Sequence, residues 1–367
     1  MVNLRPDDRL RTAIASIVLT CVHFAFVTCA TAADDADALP VEVIPGDKAG
    51  SDPFLGDWQG AWSKGYPRDL VAQVIPRGHQ NYIINFLPAF DQRCAPLATV
   101  QAKADGRRLQ FDQEGWSGTM EGDQLTGMGL FKDKSVSFKL AKIVRLSPRL
   151  GAKPPQGAIV LLDGDDLSAW ETGGRGGVEE ITWQKHGGFV RTWPPLTEHA
   201  FGASIRTRQT WSNFRLHLEF RLPLIAAATG QTRANSGVII EEFEFFEVQI
   251  LDAYGLLGYW DETGAIYRKE APKVNMCAPP GQWQSYDIVY SGPRFDEAGK
   301  LVANPRITVD LNGKTVHNDV ELPYSERAAK NRHEKPDLKM PGRIILQHHG
   351  DPVDFRNVWL LECPNAK

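Results

Sequence analysis

The stretch Glu244-Phe245-Phe246-Glu247-Val248-Gln249-Ile250-Leu251-Asp252 decides how this chain is read. It alternates as a strand does, with side chains two apart sharing a face. Phe246, Val248 and Ile250 make one apolar face. Phe243, Phe245, Glu247, Gln249 and Leu251 fall on the other, where a carboxylate and an amide stand side by side among aromatic rings. Rings plus a few hydrogen-bonding groups suit a polar ring ligand such as a sugar. The same pattern also describes a half-exposed strand with solvated Glu and Gln.

Similar alternation recurs on both sides of this stretch. Leu216 to Leu222, the set Tyr286, Ile288 and Tyr290, and the set Ile307, Val309 and Leu311 all step in twos. The last leads into Asn312-Gly313, a tight hairpin signal. Ile344 with Leu346 and Val358 with Leu360 give further inward pairs. No helical period competes over residues 158–367, so an all-β, two-sheet sandwich of jelly-roll type is expected. Upstream, residues 53–147 open with Gly56-Asp57-Trp58-Gln59-Gly60-Ala61-Trp62 and continue in short alternating runs between Gly and Asp turns. That is a small β-meander, a barrel or sandwich in which a Trp plugs one end. Residues 148–157 hold three prolines and two glycines in ten positions and read as a linker. Residues 33–52, acidic and rich in Ala, read as another.

The start of the chain carries Arg5, Arg9 and Arg11, an apolar run from Ala13 to Val27, and Ala30-Thr31-Ala32-Ala33. Charged start, apolar core and small residues make a signal peptide over residues 1–32, so an exported protein, periplasmic or secreted, is expected. The apolar run is short for a membrane span and His23 interrupts it. No membrane contact is expected after cleavage. A formal charge of −4 speaks against a nucleic-acid partner. Cys94, Cys277 and Cys363 remain after the signal, and their pairing is not legible from spacing.

Polar side chains that a bare sandwich does not need gather in four segments: Asn235-Ser236-Gly237, Glu247 to Tyr254, Gly264 to Tyr267, and Gln347 to Asn357. His348 and His349 are adjacent on a strand and point to opposite faces, so they do not share an ion. No metal and no cofactor is expected. Gln347 and His349 share the parity opposite to Ile344 and Leu346 and should face the same open side as Glu247 and Gln249.

These segments resemble the 3-keto-disaccharide hydrolase domain family, also described as 3-keto-glucoside lyases. The resemblance rests on Leu161 to Trp170, Asn235-Ser236-Gly237-Val238, Phe246 to Gly255, Gly264-Ala265-Ile266-Tyr267, Pro279 to Ile288 and Gly350 to Asn357. It departs from the family at His348, where Asp is common, and at Glu241 and Glu242, where Arg or Gln is usual. The resemblance implies a concanavalin-like jelly roll and cleavage of 3-keto-glycosides by elimination and hydration. The chemistry needs a base, a donor for the enolate oxygen and an acid for the leaving group. Glu247, His349 and Asp252 are the candidate catalytic residues. Asn235, Gln249, Tyr254, Gln347 and Arg356 are candidates for holding substrate. A lectin-like carbohydrate-binding module with no catalysis is the alternative, because this architecture serves both. A two-carboxylate glycosidase using Glu247 and Asp252 fits less well, since five positions apart puts them on opposite faces of a regular strand.

Overall fold

The first block closes into a barrel. The computed structural model describes residues 42–63, 69–173, 180–193, 203–241, 245–323 and 341–363, with the side chains of Glu241 and Phe245 excepted. The expected signal segment, Phe243, and the charged stretch 325–339 lie outside them. Eight strands, β1 Gly56–Trp62, β2 Leu70–Pro76, β3 Asn81–Leu87, β4 Ala98–Asp105, β5 Arg108–Gln113, β6 Trp116–Glu121, β7 Gln124–Phe131 and β8 Lys134–Ile143, pair antiparallel in chain order. β8 returns to β1, which leaves no free sheet edge. Trp58 is fully buried inside and its indole N–H donates to the Phe54 carbonyl at 3.1 Å. Trp62 packs edge-on against Phe138.

The second block is a jelly-roll sandwich, as the alternation predicts. Its strands are β9 Ile159–Leu162, β10 Trp170–Thr172, β11 Gln184–Lys185, β12 Val190–Arg191, β13 Ile205–Thr207, β14 Asn213–Arg221, β15 Ser236–Glu241 and β16 Phe245–Ile250. They continue with β17 Trp283–Ser291, β18 Arg294–Phe295, β19 Leu301–Ala303, β20 Arg306–Leu311, β21 Lys314–Glu321, β22 Arg343–Leu346 and β23 Asp354–Glu362. A smaller sheet runs in the order β10-β13-β22-β15-β16. A larger one runs β11-β12-β23-β14-β17-β20-β21, with β9 also on β23. Leu216, Leu218 and Phe220 of β14 and Ile288 of β17 meet Val238, Ile240, Val248, Ile250, Ile344 and Leu346 in one core. Each such side chain contributes about 1.5–3 kcal/mol on burial. Asn312 and Gly313 both take positive φ in the turn between β20 and β21, as a tight hairpin requires.

The Pro- and Gly-rich segment between the blocks is irregular, yet it is not the loose tether its composition suggests. It lies along the outer face of the larger sheet. Ser147 Oγ and Ser285 Oγ are 2.7 Å apart, Arg149 grips Asp287 with two N–H groups at 3.0 and 3.1 Å, and the Gly151 amide donates to Glu219 at 2.6 Å. The Ala152 carbonyl accepts from Asn357 and from the Trp359 indole. Beneath it His217 is fully buried, with Nδ1 3.0 Å from Asp287 and Nε2 3.7 Å from Glu219. Barrel and sandwich also touch directly. Tyr254 donates to Asp57 at 2.8 Å, Asn85 donates to the Gly255 carbonyl, and Ile75 of β2 packs in the sandwich core. Residues after Glu42, read as linker, form an arm on the sandwich, with Ile44 and Leu224 exchanging both backbone hydrogen bonds.

Candidate active site

Three strands of the smaller sheet carry the site. In the register across β22, β15 and β16, Leu346, Val238 and Val248 face the core. The next positions, Ile345, Ile239 and Glu247, are paired across the same strands and face away from it. One step further, the Gln347 amide donates to the Gly237 carbonyl at 2.9 Å, and Gly237 pairs with Gln249. Beyond β16 the chain adds another rung. Gln249 donates to the Ala265 carbonyl, Tyr267 donates to the Glu247 carbonyl, and Ile266 bridges to Val248. Glu247 is thus flanked by Ile239 on one side and Tyr267 on the other.

Glu247 is not the solvated residue that alternation alone suggests. It is 7% exposed, and its neighbours Ile239 and Ile345 are 3% and 5% exposed. Its carboxylate sits over Gly237, where an added Cβ would lie 2.3 Å from Oε1. Burial against apolar neighbours pushes its pKa up to about 7, with no hydrogen bond from a described residue opposing the shift. A carboxyl of that pKa exchanges a proton near neutrality.

Amide side chains cluster around the neighbouring strand positions. Gln249 is 1% exposed, its Nε2 donating to Gln231 Oε1 at 3.1 Å and its Oε1 accepting from the Ile250 amide. Asn235 donates through Nδ2 to the Gln231 carbonyl and to Gln231 Oε1. Asn235 Oδ1 and Gln347 Oε1 are buried with no hydrogen-bond partner among the described residues. Buried acceptors of this kind are costly unless a ligand or water meets them. The Asn235 amide donates to Asp351 Oδ2 at 2.8 Å. Burial raises Asp351 to about 6, against the pull of that amide. His349, two residues past Gln347, is half-buried, and burial lowers its pKa so that the ring is neutral at pH 7. No group of three or more His, Cys, Asp or Glu side chains is gathered as a metal site needs, among the described residues.

Three expected residues stand elsewhere. Arg356 lies on β23 of the larger sheet, its Nε donating to Glu219 at 2.7 Å and its guanidinium 4.0 Å from the Trp283 ring centre. Glu219 alternates with the core residues Leu218 and Phe220, so Arg356 is on the opposite outer face from Glu247. Parity told inward from outward but not which sheet. Asp252 is held by Arg233, whose Nη2 donates to Oδ2 at 2.8 Å and whose Nε donates to the Asp252 carbonyl. It is a buried, ion-paired residue at the strand's end. Tyr254 is fully buried and spends its hydroxyl on Asp57 in the junction with the barrel.

Sequence reasoning also passed over residues that matter here. Gln231 ties Asn235 to Gln249, but it sits in a short turn, Gly230–Thr232, with no periodic signal. Asp351 follows Gly350, and nothing in the local spacing marks it as the acceptor of the distant Asn235 amide. Gly237 was a sign in plain view, since a glycine in a strand interior marks a close approach.

The aromatic loop beyond β16 is held firmly. Glu262 accepts from the Gly258 and Tyr259 amides at 2.7 and 3.0 Å, and Arg268 donates its amide to the Trp260 carbonyl at 3.0 Å. The Arg268 guanidinium lies 5.4 Å from the Tyr267 ring centre and 5.9 Å from that of Trp260. Tyr259 and Trp260 are about half exposed.

Several solved structures are similar. One from Parabacteroides distasonis, described as a "putative glycosyl hydrolase", is 34% identical with a TM-score of 0.46, over 57% of this chain and 84% of that one. A second with that description, from the same organism, is 20% identical with a TM-score of 0.41, over 56% and 94%. A GH43 protein from Bacillus licheniformis is 11% identical with a TM-score of 0.34, over 80% and 62%. Among curated proteins none matches. Residues 157–361 match the 3-keto-alpha-glucoside-1,2-lyase-like domain, and the chain belongs to that carbohydrate-active family.

Proposed function

We infer that this protein cleaves 3-keto-glycosides by elimination followed by hydration, with Glu247 as the base. A ketone at C3 acidifies the hydrogen on C2. In the first step Glu247 takes that proton, the C1–O bond to the leaving group breaks, and the leaving oxygen acquires a proton. The product is a 2-hydroxy-3-keto-glucal. Water then adds its oxygen to C1 while C2 is reprotonated, and the net change is hydrolysis.

The observation that carries this reading is the state of Glu247. A carboxylate at its ordinary pKa is a weak base toward a carbon acid. One raised to about 7 by burial is matched to neutral pH. Gln347, beside Gly237, is the candidate donor for the C3 oxygen as charge builds on it. Asp351, raised to about 6, keeps a fraction of its proton near neutrality and is the candidate acid for the leaving oxygen, while His349, neutral at pH 7, and Asn235 are suited to sugar hydroxyls. The signal-like start of the sequence supports export, so the substrate would be met outside the cytoplasm.

The test is to incubate the full chain with a 3-keto-glucoside and with its parent glucoside and follow release of the leaving group. Cleavage of the keto form alone is expected. Equal cleavage of both would point to ordinary glycoside hydrolysis. Binding without cleavage of either would point to a carbohydrate-binding module.

A further inference from the structure

We propose that a groove between the linker and the outer face of the larger sheet binds a small amphipathic anion, an aromatic carboxylate in chemical class. The proposal does not depend on the reading of Glu247. Its first support is register. Leu361 of β23, Arg215 of β14 and Val289 of β17 pair across one rung of that sheet. Trp359, His217 and Asp287 pair across the next rung on the same side. Direct partners share a face, as do positions two apart, so both rungs look outward. The linker crosses the second rung, where its Ala152 carbonyl accepts the Trp359 indole N–H at 3.0 Å. On the first rung Arg215 and Val289 remain exposed. A groove of about 320 Å³ opens there between linker and sheet. Trp359 and Leu361 give it an apolar floor, and Ala152 and Pro155 an apolar wall.

The second support is charge. Arg149, Lys153 and Arg215 line the groove, and no acidic side chain does among the described residues. Arg149 is spent on Asp287. The side chains of Lys153 and Arg215 have no ion pair or hydrogen bond with a described residue. Arg215 lies between two apolar cross-strand neighbours, where a charge adds nothing to the sheet. Two uncompensated positive charges therefore face one apolar hollow, in a chain whose formal charge is −4. Such a hollow concentrates anions. A guanidinium fork fits a carboxylate, and an indole beside a leucine fits a flat apolar body. The volume stands at the small end of the ~300–1,000 Å³ typical of ligand pockets, which suits a body of one or two fused rings.

The probe is 2-naphthoate, set against 2-naphthamide, which keeps the rings without the charge, and acetate, which keeps the charge without the rings. Calorimetry on the full chain at low salt should give naphthoate a Kd on the order of 1 mM or tighter. The amide and acetate should each bind at least about tenfold more weakly. Arg215→Ala and Lys153→Ala should each weaken naphthoate by about threefold to tenfold, and the double variant by more. Both side chains are exposed, so the melting temperature should not move. Raising the salt to about 0.5 M should weaken naphthoate and leave the amide unchanged. No measurable naphthoate binding, equal binding of acid and amide, or an affinity unmoved in the double variant overturns the site. Acetate bound as tightly as naphthoate overturns it too, because the apolar floor would then contribute nothing.

Discussion

Glu247 and Gly237 share one volume: the carboxylate of the first fills the space that a side chain on the second would need. A Cβ at position 237 would fall 2.3 Å from Glu247 Oε1 and 3.0 Å from its Cγ and Cδ. The intruded atoms belong to a side chain, not to backbone, so the strand pair can survive if the carboxylate moves. Gly237→Ala should therefore lower kcat by a factor of about a hundred or more, because displacement of a positioned base by about 1 Å is costly. The melting temperature should fall by only a few degrees. Retained activity with a large loss of stability would mean that the glycine serves packing alone.

Glu247→Gln should remove most activity and leave stability equal or higher above neutral pH. Its folded pKa is raised, so the folded state binds more protons than the unfolded state between the ordinary 4.5 and about 7. Stability is therefore lost as pH rises across that window, on the order of 3 kcal/mol in total, and Gln at this position escapes the loss. Thermal melts at pH 5 and pH 8 would show the variant gaining on wild type with pH. For catalysis, kcat/KM should fall about tenfold per pH unit below about 7 as the base takes up its proton. A flat profile from pH 5 to 8 counts against Glu247 as the base.

The covered cluster on the opposite face titrates the other way. Burial alone would raise Glu219, but hydrogen bonds from His217, Asn357, the Gly151 amide and Arg356 hold it at about 2. Burial alone would lower His217, but Asp287 and Glu219 raise it. The Glu219 contribution is present above the ordinary 4.5 and lost as pH falls toward 2. That of His217 is present below the ordinary 6.5 and lost as pH rises through its folded value. Glu219→Gln should cost most stability between about pH 4.5 and 6.5, on the order of 3 kcal/mol, and nothing near pH 2. A stability difference that does not change with pH would sink this account.

Barrel and sandwich should melt as one. Tyr254→Phe leaves Asp57, itself 2% exposed, with Arg145 at 2.8 Å but without the phenol, at a cost of about 1–3 kcal/mol. In scanning calorimetry a single transition should shift downward as a whole. Two separate transitions, with only one shifted, would show that the junction does not couple the blocks.

Alternation made the sheets legible, because a period of two with one buried face leaves little freedom in register. It also placed Glu247, Gln249 and Gln347 on one side of the smaller sheet. Arg356 escaped because inward and outward are local properties, whereas membership in one of two sheets is set by pairing across the whole block. Asp252 and Tyr254 escaped because their partners, Arg233 and Asp57, lie in a turn and in the barrel. Single-strand periodicity carries no information about either. The depth of Glu247 was hidden for a similar reason, since the segment at Gly264–Tyr267 that adds a rung beside it reads as a loop.

The arm at Ile44 pairs with Leu224, and Gly281 lies close against Ala49 and Gly50, although the entire barrel separates these partners in the chain. During synthesis the arm is finished long before its binding surface exists. The barrel has mostly neighbouring strands to join and one long closure, β8 on β1, all within its own span. Folding therefore acquires a direction: barrel early, sandwich later, and the first described residues of the chain fastened last. Pulse-labelled hydrogen exchange would show it as protection at Ile44 and Leu224 that lags behind protection around Trp58.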